Sequence, residues 1–242
     1  MGATVERPVP GRRESRSTSF PPVPDATEVA DHFARALREA QGAHWPYARW
    51  LVSDVLPESL AAAVLILPIA PPVVGDCRGV RDVDNSKRTF FTPALRARFP
   101  ACEVFADALQ RPHIARLFEE ICGIKVSGGF LRMEYIQDTD GAWLEPHCDI
   151  PEKLFSMVVY LCTGPDAKDW GTDIYDSQRH WVGRSSADFN SAVIFVAGPN
   201  TWHGFEPRPI VGVRRLLEIN YVSPSWRDRD QLSFPDRPIV VG

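Results

Sequence analysis

The stretch LEPHCD at residues 144–149 is the most informative part of this chain, because it places a His-X-Asp motif, typical of metal sites, in a β-rich region. Side chains along a strand alternate between two faces, so His147 and Asp149 are predicted to point the same way. Two imidazoles and one carboxylate suit a non-haem Fe(II) centre with open positions. The second imidazole must come from a distant strand, and His203 in GPNTWHG at 198–204 is the candidate.

Each part of this ligand set also has an ordinary structural explanation. His147 and Asp149 would be compatible with a polar pair on a surface strand. His203 would be compatible with a turn histidine whose ring bonds the backbone. The metal interpretation therefore depends on the pattern that surrounds the three residues.

Composition places the chain among ordinary soluble proteins. Its 242 residues fit one domain, or one domain with a helical elaboration, and 44% of them are hydrophobic and 24% charged. The net charge of −4 argues against a broad basic surface for nucleic acid. A small-molecule substrate is the expected partner, no nucleic acid is expected, and the oligomeric state is left open.

The cysteines and the apolar stretches predict a cytoplasmic protein. The five cysteines are odd in number and widely spaced, without a CxxC pair, which is typical of reduced thiols in the cytosol. No apolar core of a secretory signal is visible near the start. The most apolar stretch, 60–74, contains three prolines and is too short to span a bilayer, so no membrane association is expected.

The texture of the chain changes near residue 125. Residues 1–25 are rich in proline, arginine and serine and are predicted to be a flexible leader, followed by a single domain at 26–242. Its first part, 26–124, is predicted to be helical, with the irregular charged segment 75–92 as a candidate lid. Helices are expected at 26–42, at 58–67 and at 103–122, the last one broken near Pro112.

The second part, 125–225, shows short β-branched and aromatic runs separated by turn residues. Without long helices between the runs, an antiparallel sandwich or jelly roll is favoured. The fold class is therefore mainly β with N-terminal helices (α+β). Candidate strands are Gly129–Ile136, Leu144–Asp149, Phe155–Leu161, Thr172–Tyr175, Ala192–Val196 and Val213–Val222.

The last candidate strand, VRRLLEINYV at 213–222, has two different faces. Its odd-numbered residues are largely apolar and suit packing against helices. Its even-numbered residues are polar and suit a wet site inside a barrel, although alternation alone also allows this face to meet solvent. The even-numbered residues are Arg214, Leu216, Glu218 and Asn220.

The order of these elements resembles a known family. His-X-Asp, a distal histidine and then an arginine about ten residues on, across successive strands, is similar to the Fe(II)/2-oxoglutarate-dependent oxygenases, and most to their prolyl-4-hydroxylase-like branch. The resemblance covers roughly 125–225 and includes GGFLRMEY at 128–135, MVVYL at 157–161 and WGTDIY at 170–175. It implies a double-stranded β-helix core with helices packed on one sheet, and His147, Asp149 and His203 as iron ligands.

The resemblance also implies a site for 2-oxoglutarate as co-substrate. Arg214 is the expected partner of its distal carboxylate, with Arg215 as the fallback, because a guanidinium binds a carboxylate through two parallel hydrogen bonds. Many relatives carry serine or threonine two residues later, whereas this chain has Leu216. One hydroxyl contact is therefore expected to be absent or to come from elsewhere.

Three more residues are mapped to this site by the resemblance. Tyr135 lies where some relatives place a tyrosine hydroxyl near 2-oxoglutarate, and a core tyrosine is the equal alternative. Val159 and Ile174 map to apolar walls around the co-substrate. Ascorbate is compatible with the family as a reductant.

The expected activity is a dioxygenase reaction that uses O₂ to hydroxylate a small molecule or an amino-acid-like substrate. Related halogenases replace the carboxylate ligand with a small residue, so the retained Asp149 favours hydroxylation or a related oxidation. Two alternatives stay open. One is a cupin-like metal enzyme that does not use 2-oxoglutarate, and the other is a non-catalytic binding module on the same fold.

Overall fold

The computed structural model describes residues 22–73, 79–80 and 88–242. Most of the predicted leader at 1–25 and most of the predicted lid at 75–92 lie outside the described residues. The division into leader and oxygenase domain therefore stays a prediction.

Five helices of the described part precede the main β-region. The first begins at a capping box, in which the Asp25 carboxylate accepts hydrogen bonds from the backbone of Thr27 and Glu28. The predicted helix at 103–122 is in fact two helices, because Pro112 lacks the N–H that a continuous helix needs and starts a new one. The helices are α1 (Ala26–Arg38), α2 (Glu58–Leu65), α3 (Pro93–Arg98), α4 (Pro100–Leu109) and α5 (Pro112–Cys122).

The strands form two antiparallel sheets. A seven-stranded sheet has the order β1-β2-β9-β6-β11-β4-β3, and a four-stranded sheet has the order β5-β10-β7-β8. The strands are β1 (Gln41–Ala43), β2 (Arg49–Val52), β3 (Thr89–Phe90), β4 (Phe130–Asp138), β5 (Leu144–His147), β6 (Lys153–Tyr160), β7 (Asp173–Tyr175), β8 (Trp181–Arg184), β9 (Ser191–Phe195), β10 (His203–Phe205) and β11 (Arg214–Val222). The six predicted strands are present, with ends shifted by at most two residues.

The central strands β4, β6 and β11 of the seven-stranded sheet are buried on both faces. One face packs against the helices, where Phe118 of α5 contacts Phe155 and Tyr221 of the sheet and Phe33 of α1 packs on Phe118. The other face meets the four-stranded sheet in a second apolar core that contains Tyr160. Two antiparallel sheets closed over this inner core, with helices outside the larger one, confirm the predicted double-stranded β-helix.

The alternation predicted for β11 is confirmed. Leu217, Ile219 and Tyr221 belong to the core between sheet and helices. Arg214, Leu216 and Glu218 line a cavity on the opposite face, between the sheets. The polar face of this strand therefore points into the barrel.

Among the described residues, none of the helices combines the length and apolar character needed to cross a lipid bilayer.

Candidate metal centre and its pocket

The three predicted ligands meet at one mouth of the barrel. His203 is paired directly with His147 across β5 and β10, and their ring centroids are 4.3 Å apart. Asp149 lies two residues beyond the end of β5, outside the strand in which the sequence predicted it. One ligand atom from each of the three residues lies within 4.8 Å of the others. This arrangement fits a divalent metal ion held on one side by the protein.

Both imidazoles are fixed by hydrogen bonds on the far side of the ring. Nδ1 of His147 donates to the carbonyl of Glu145 at 2.9 Å, and Nδ1 of His203 donates to the carbonyl of Thr201 at 2.9 Å. These bonds place the proton on Nδ1 and leave the lone pair of Nε2 for a metal, as ligating histidines require. Burial lowers the pKa of His203 to about 4, so this ring is neutral at physiological pH.

Asp149 is almost completely buried and hydrogen-bonded through both oxygens. Nζ of Lys153 donates to its Oδ1 at 2.7 Å, and Oγ of Ser156 donates to its Oδ2 at 2.5 Å. Burial by itself would raise the pKa of Asp149, but the combined charges and hydrogen bonds of its neighbours, led by Lys153, outweigh burial, so the pKa is lowered and the carboxylate is ionised. Oδ2 also lies 3.9 Å from Nε2 of His203 and is the oxygen directed towards the metal site.

The cavity beside these ligands has a volume of about 410 Å³ and is bordered by two polar groups of residues. Along β11, Arg214 and Glu218 are four residues apart, which corresponds to roughly 13 Å. Between them Leu216 contributes apolar wall, together with Val158 and Phe195. The size is suitable for a small organic ligand.

The first polar group is centred on Arg214, which is 2% exposed. Its Nη1 donates to Oδ2 of Asp138 at 2.5 Å and its Nε donates to the carbonyl of Trp170 at 2.7 Å. The guanidinium also lies over the ring of Phe205, 3.9 Å from the centroid. Among the described residues Nη2 makes no hydrogen bond, so this nitrogen is available to a ligand in the cavity.

Thr172 brings hydroxyl groups close to Arg214. The Oγ1 of Thr172 and the Oγ of Ser185 are each 2.6 Å from the buried hydroxyl of Tyr160. Thr172 is also one of the residues that line the cavity. The charge of Arg214 is one of the influences on the pKa of Tyr160, which burial raises. This cluster supplies hydroxyl groups near the position where Leu216 carries none.

The second polar group surrounds Glu218, four residues along β11. Its Oε1 accepts from Lys153 at 2.5 Å, and its Oε2 lies 3.6 Å from Nη1 of Arg132. Burial opposes ionisation of Glu218, but Lys153 and Arg132 prevail and hold its pKa well below the usual range. Arg132 is bonded in turn to Glu134 at 2.8 Å, and Glu134 accepts two hydrogen bonds from Arg88.

Two of the residues mapped to the co-substrate lie elsewhere. Tyr135 and Val159 belong to the core between the large sheet and the helices, and the Tyr135 hydroxyl donates to the carbonyl of Leu65 at 3.5 Å. Arg215, the fallback for carboxylate binding, points to this same side, where it lies close enough to influence the Tyr135 pKa. These placements contradict the predicted contacts of Tyr135 and Val159, because both residues face away from the barrel interior.

Ile174 is placed inside the barrel but behind the site. It belongs to the inner apolar core and lies opposite His203 in the β7–β10 pair. Ile174 does not border the cavity, so it supports the site only through its pairing with His203. The wall that the sequence assigned to Val159 is formed by its neighbour Val158.

Lys153, Ser156, Arg132 and Thr172 are site residues that sequence reasoning did not select. For Arg132 and Ser156 a signal was present in the alternation of β4 and β6. In FLRMEYIQD the even-numbered positions carry Arg132 and two carboxylates, whereas three of the four odd-numbered positions are apolar or aromatic, which is the pattern of a strand with a polar inner face. The same parity on β6 selects Ser156 and Val158 and excludes Val159.

Comparison with solved structures identifies the fold. A Pseudomonas putida prolyl 4-hydroxylase matches with a TM-score of 0.52 and 17% identity, over 86% of this chain and 100% of that one. A prolyl 4-hydroxylase of Phytophthora capsici matches with a TM-score of 0.57 and 13% identity, over 87% and 70%. The chain has the prolyl-hydroxylase fold.

A third similar structure is a Trichoplax adhaerens prolyl hydroxylase in complex with a peptide fragment of hypoxia inducible factor. It has a TM-score of 0.54 and 11% identity, over 82% of this chain and 90% of that one. No protein-family model and no curated protein matches the sequence. The likeness to these solved structures therefore shows the fold alone.

Proposed function

We propose that this protein is an Fe(II)- and 2-oxoglutarate-dependent dioxygenase that hydroxylates a small molecule or an amino-acid-like substrate. The observation that carries the proposal is the meeting of His147, Asp149 and His203 at one edge of a cavity that Arg214 also borders. Two imidazoles and one carboxylate, on one side of a cavity, suit Fe(II) and leave coordination positions open.

In this proposal, iron held by the three ligands supplies the activation of O₂, and the overall reaction converts 2-oxoglutarate and O₂ into succinate and CO₂ while one oxygen atom enters the substrate. The protein binds and orients the reactants. The hydrogen bonds at Nδ1 of His147 and of His203 keep each Nε2 directed towards the metal. Lys153 and Ser156 hold the orientation of Asp149.

Arg214 is proposed to bind the distal carboxylate of 2-oxoglutarate through Nη2. Asp138 and the Trp170 carbonyl already hold the other guanidinium nitrogens, so the group is oriented before the co-substrate arrives. The Thr172 hydroxyl is proposed to provide the contact that Leu216 cannot. Leu216 and Val158 exclude water from this part of the cavity.

The retained carboxylate of Asp149 supports hydroxylation as the outcome. A ligand set reduced to two histidines would leave room for a halide ion, whereas Asp149 is in place and ionised here. The intact set also argues against a binding module that has lost catalysis.

One observation favours the cupin-like alternative without 2-oxoglutarate. Asp138 already balances the charge of Arg214, so a buried guanidinium has a reason to exist without any co-substrate. The free Nη2 is what distinguishes the two functions, because a purely structural arginine needs no donor facing a cavity.

An anaerobic titration separates these functions. The protein is loaded with one equivalent of Fe(II), and 2-oxoglutarate is added while the visible spectrum is recorded. A weak charge-transfer band that saturates at one equivalent of 2-oxoglutarate supports the dioxygenase, and succinate release in air with candidate substrates then tests turnover. Iron binding without any band supports the cupin-like enzyme, and an absence of iron binding rejects both.

A further inference from the structure

Lys153 stands between two carboxylates, and one of them is the proposed metal ligand. Its Nζ is 2.7 Å from Oδ1 of Asp149 and 2.5 Å from Oε1 of Glu218. The lysine side chain is 15% exposed, and the two acids are 5% and 13% exposed. A buried ammonium group needs negative partners, and this one has two within hydrogen-bonding distance.

The two oxygens of Asp149 have different surroundings. Oδ2 bonds Ser156 and faces His203, on the side where the ligand atoms converge. Oδ1 accepts the hydrogen bond from Nζ of Lys153. Asp149 is therefore placed to offer one oxygen to a metal ion while the other stays with the ammonium group.

Glu218 has its own support for retaining Lys153. Its second oxygen lies 3.6 Å from Arg132, which is bonded to Glu134, and Glu134 is bonded to Arg88. The charges of the six side chains from Arg88 to Asp149 alternate in sign along this chain. Glu218 can therefore hold Lys153 when the charge of Asp149 is satisfied by another cation.

We propose that Lys153 is a stand-in for the metal ion: it neutralises Asp149 when the site holds no divalent cation, and Glu218 retains it when the cation binds. This inference rests on the proposed function, because it takes His147, Asp149 and His203 as the metal ligands. The pair formed by Lys153 and Glu218 then positions Asp149 and sets the affinity of the three ligands for the metal ion.

The stand-in role gives the two members of the pair opposite effects. Lys153 contacts Asp149, which would bind the divalent cation. A fixed positive charge so close to the cation repels it, so Lys153 weakens metal binding. The negative charge of Glu218 attracts the cation and draws Lys153 away from Asp149, so Glu218 strengthens binding. A merely structural pair predicts instead that both substitutions loosen the site and weaken metal binding.

The test measures Co²⁺ binding to the metal-free full chain by isothermal titration calorimetry and by the visible absorbance of the bound ion. Lys153→Met is expected to lower the Kd roughly tenfold or more, and Glu218→Gln is expected to raise it by a similar factor. The double variant K153M/E218Q is expected to fall between the two. Lys125→Met, at a side chain that is 90% exposed, removes the same charge elsewhere and should leave the Kd unchanged.

Thermal unfolding provides a second measurement in case the core tolerates methionine poorly. Lys153→Gln keeps a polar group at this position, and Co²⁺ is expected to raise its Tm by more than it raises the Tm of the unaltered protein, because the metal-free variant has lost its internal cation. An equal or smaller rise contradicts the stand-in role.

The outcomes also separate this inference from the proposed function. If the unaltered protein binds one Co²⁺ and both single variants weaken binding, the stand-in role is wrong and the metal centre survives. If Lys153→Met leaves the Kd unchanged, the stand-in role is wrong as well. If the unaltered protein binds no Co²⁺, the metal centre and the stand-in role fail together.

Discussion

His203 lies directly opposite His147 in the β5–β10 pair, and this backbone register brings the two imidazoles to 4.3 Å between ring centroids. β10 is held on its other edge by β7, so the position of His203 is set by two ladders. The two imidazoles are therefore held by sheet, while Asp149 follows two residues after the end of β5, and this support favours a geometry of the histidines that exists before any metal binds.

Replacement of a ligand is expected to remove the metal without unfolding the protein. His147→Ala, Asp149→Ala and His203→Ala should each abolish stoichiometric Fe(II) or Co²⁺ binding, because each removes one of three protein ligands. Far-UV circular dichroism should be unchanged, since the ligands border a cavity rather than fill a core. His180→Ala, at a side chain that is 70% exposed, serves as the control. Wild-type turnover with bound iron in any of the three variants would refute the ligand assignment.

A glycine beside His203 provides a test of the backbone register. A Cβ at Gly204 would lie 2.8 Å from the carbonyl oxygen of Leu144 on β5, whereas a Cβ at Gly198 meets only a methyl group at 3.7 Å. Gly204→Ala is expected to push β10 from β5, to destabilise the protein by about 1–3 kcal/mol and to weaken metal binding. Gly198→Ala should be neutral in urea unfolding and metal titration. Equal behaviour of the two variants would show that the register does not set the site.

The sequence predicted the parts of the fold that rest on local periodicity. The two faces of β11 were assigned correctly because a nine-residue strand buried on both sides, with one polar face, carries a clear period of two. The strands β8 and β10 were not assigned, since three or four residues containing a glycine give no usable period. The proposed ligand His203 lies in such a strand, so its pairing with His147 of β5 could not be predicted from periodicity.

The misplaced residues show what the resemblance could not supply. Tyr135 and Val159 were assigned by position along a family pattern, but each is one residue out of phase with the inward-facing side chains of its own strand. A shift of one residue reverses the face completely. The pair of Lys153 and Asp149 was missed for a different reason, since it depends on the turn after β5 that brings the two residues together.

The two adjacent arginines of β11 are expected to differ strongly. Arg214→Ala should raise the 2-oxoglutarate concentration needed for half-maximal turnover by tens- to thousands-fold, or about 2–5 kcal/mol, because it removes the charged partner of the distal carboxylate. Arg215→Ala should have little effect, since this side chain lies on the helix side of the sheet. The comparison is made by succinate release against 2-oxoglutarate concentration.

Arg214→Ala also removes the ion pair that Arg214 makes with the buried Asp138, so loss of activity alone is ambiguous. The double variant R214M/D138N removes both charges and is expected to regain much of the lost stability in urea unfolding while its requirement for 2-oxoglutarate stays high. Recovery of 2-oxoglutarate binding together with stability would mean that Arg214 acts only on the fold, and the cupin-like alternative would then gain support.

The buried imidazole of His203 predicts an acid-sensitive metal-free protein. Its pKa is lowered by burial to about 4, against 6.5 for an unperturbed histidine. Between these values the unfolded chain takes up a proton that the folded chain does not, so falling pH favours unfolding. This loss of folding free energy is absent above about pH 6.5 and grows to roughly 3 kcal/mol near pH 4.

Urea unfolding in the presence of a chelator should therefore show that the stability of the unaltered protein falls more steeply with pH than the stability of His203→Gln. The control His180→Gln, at an exposed site, should lose stability like the unaltered protein. Parallel declines for the unaltered protein and His203→Gln would show that this ring is not held neutral by the fold.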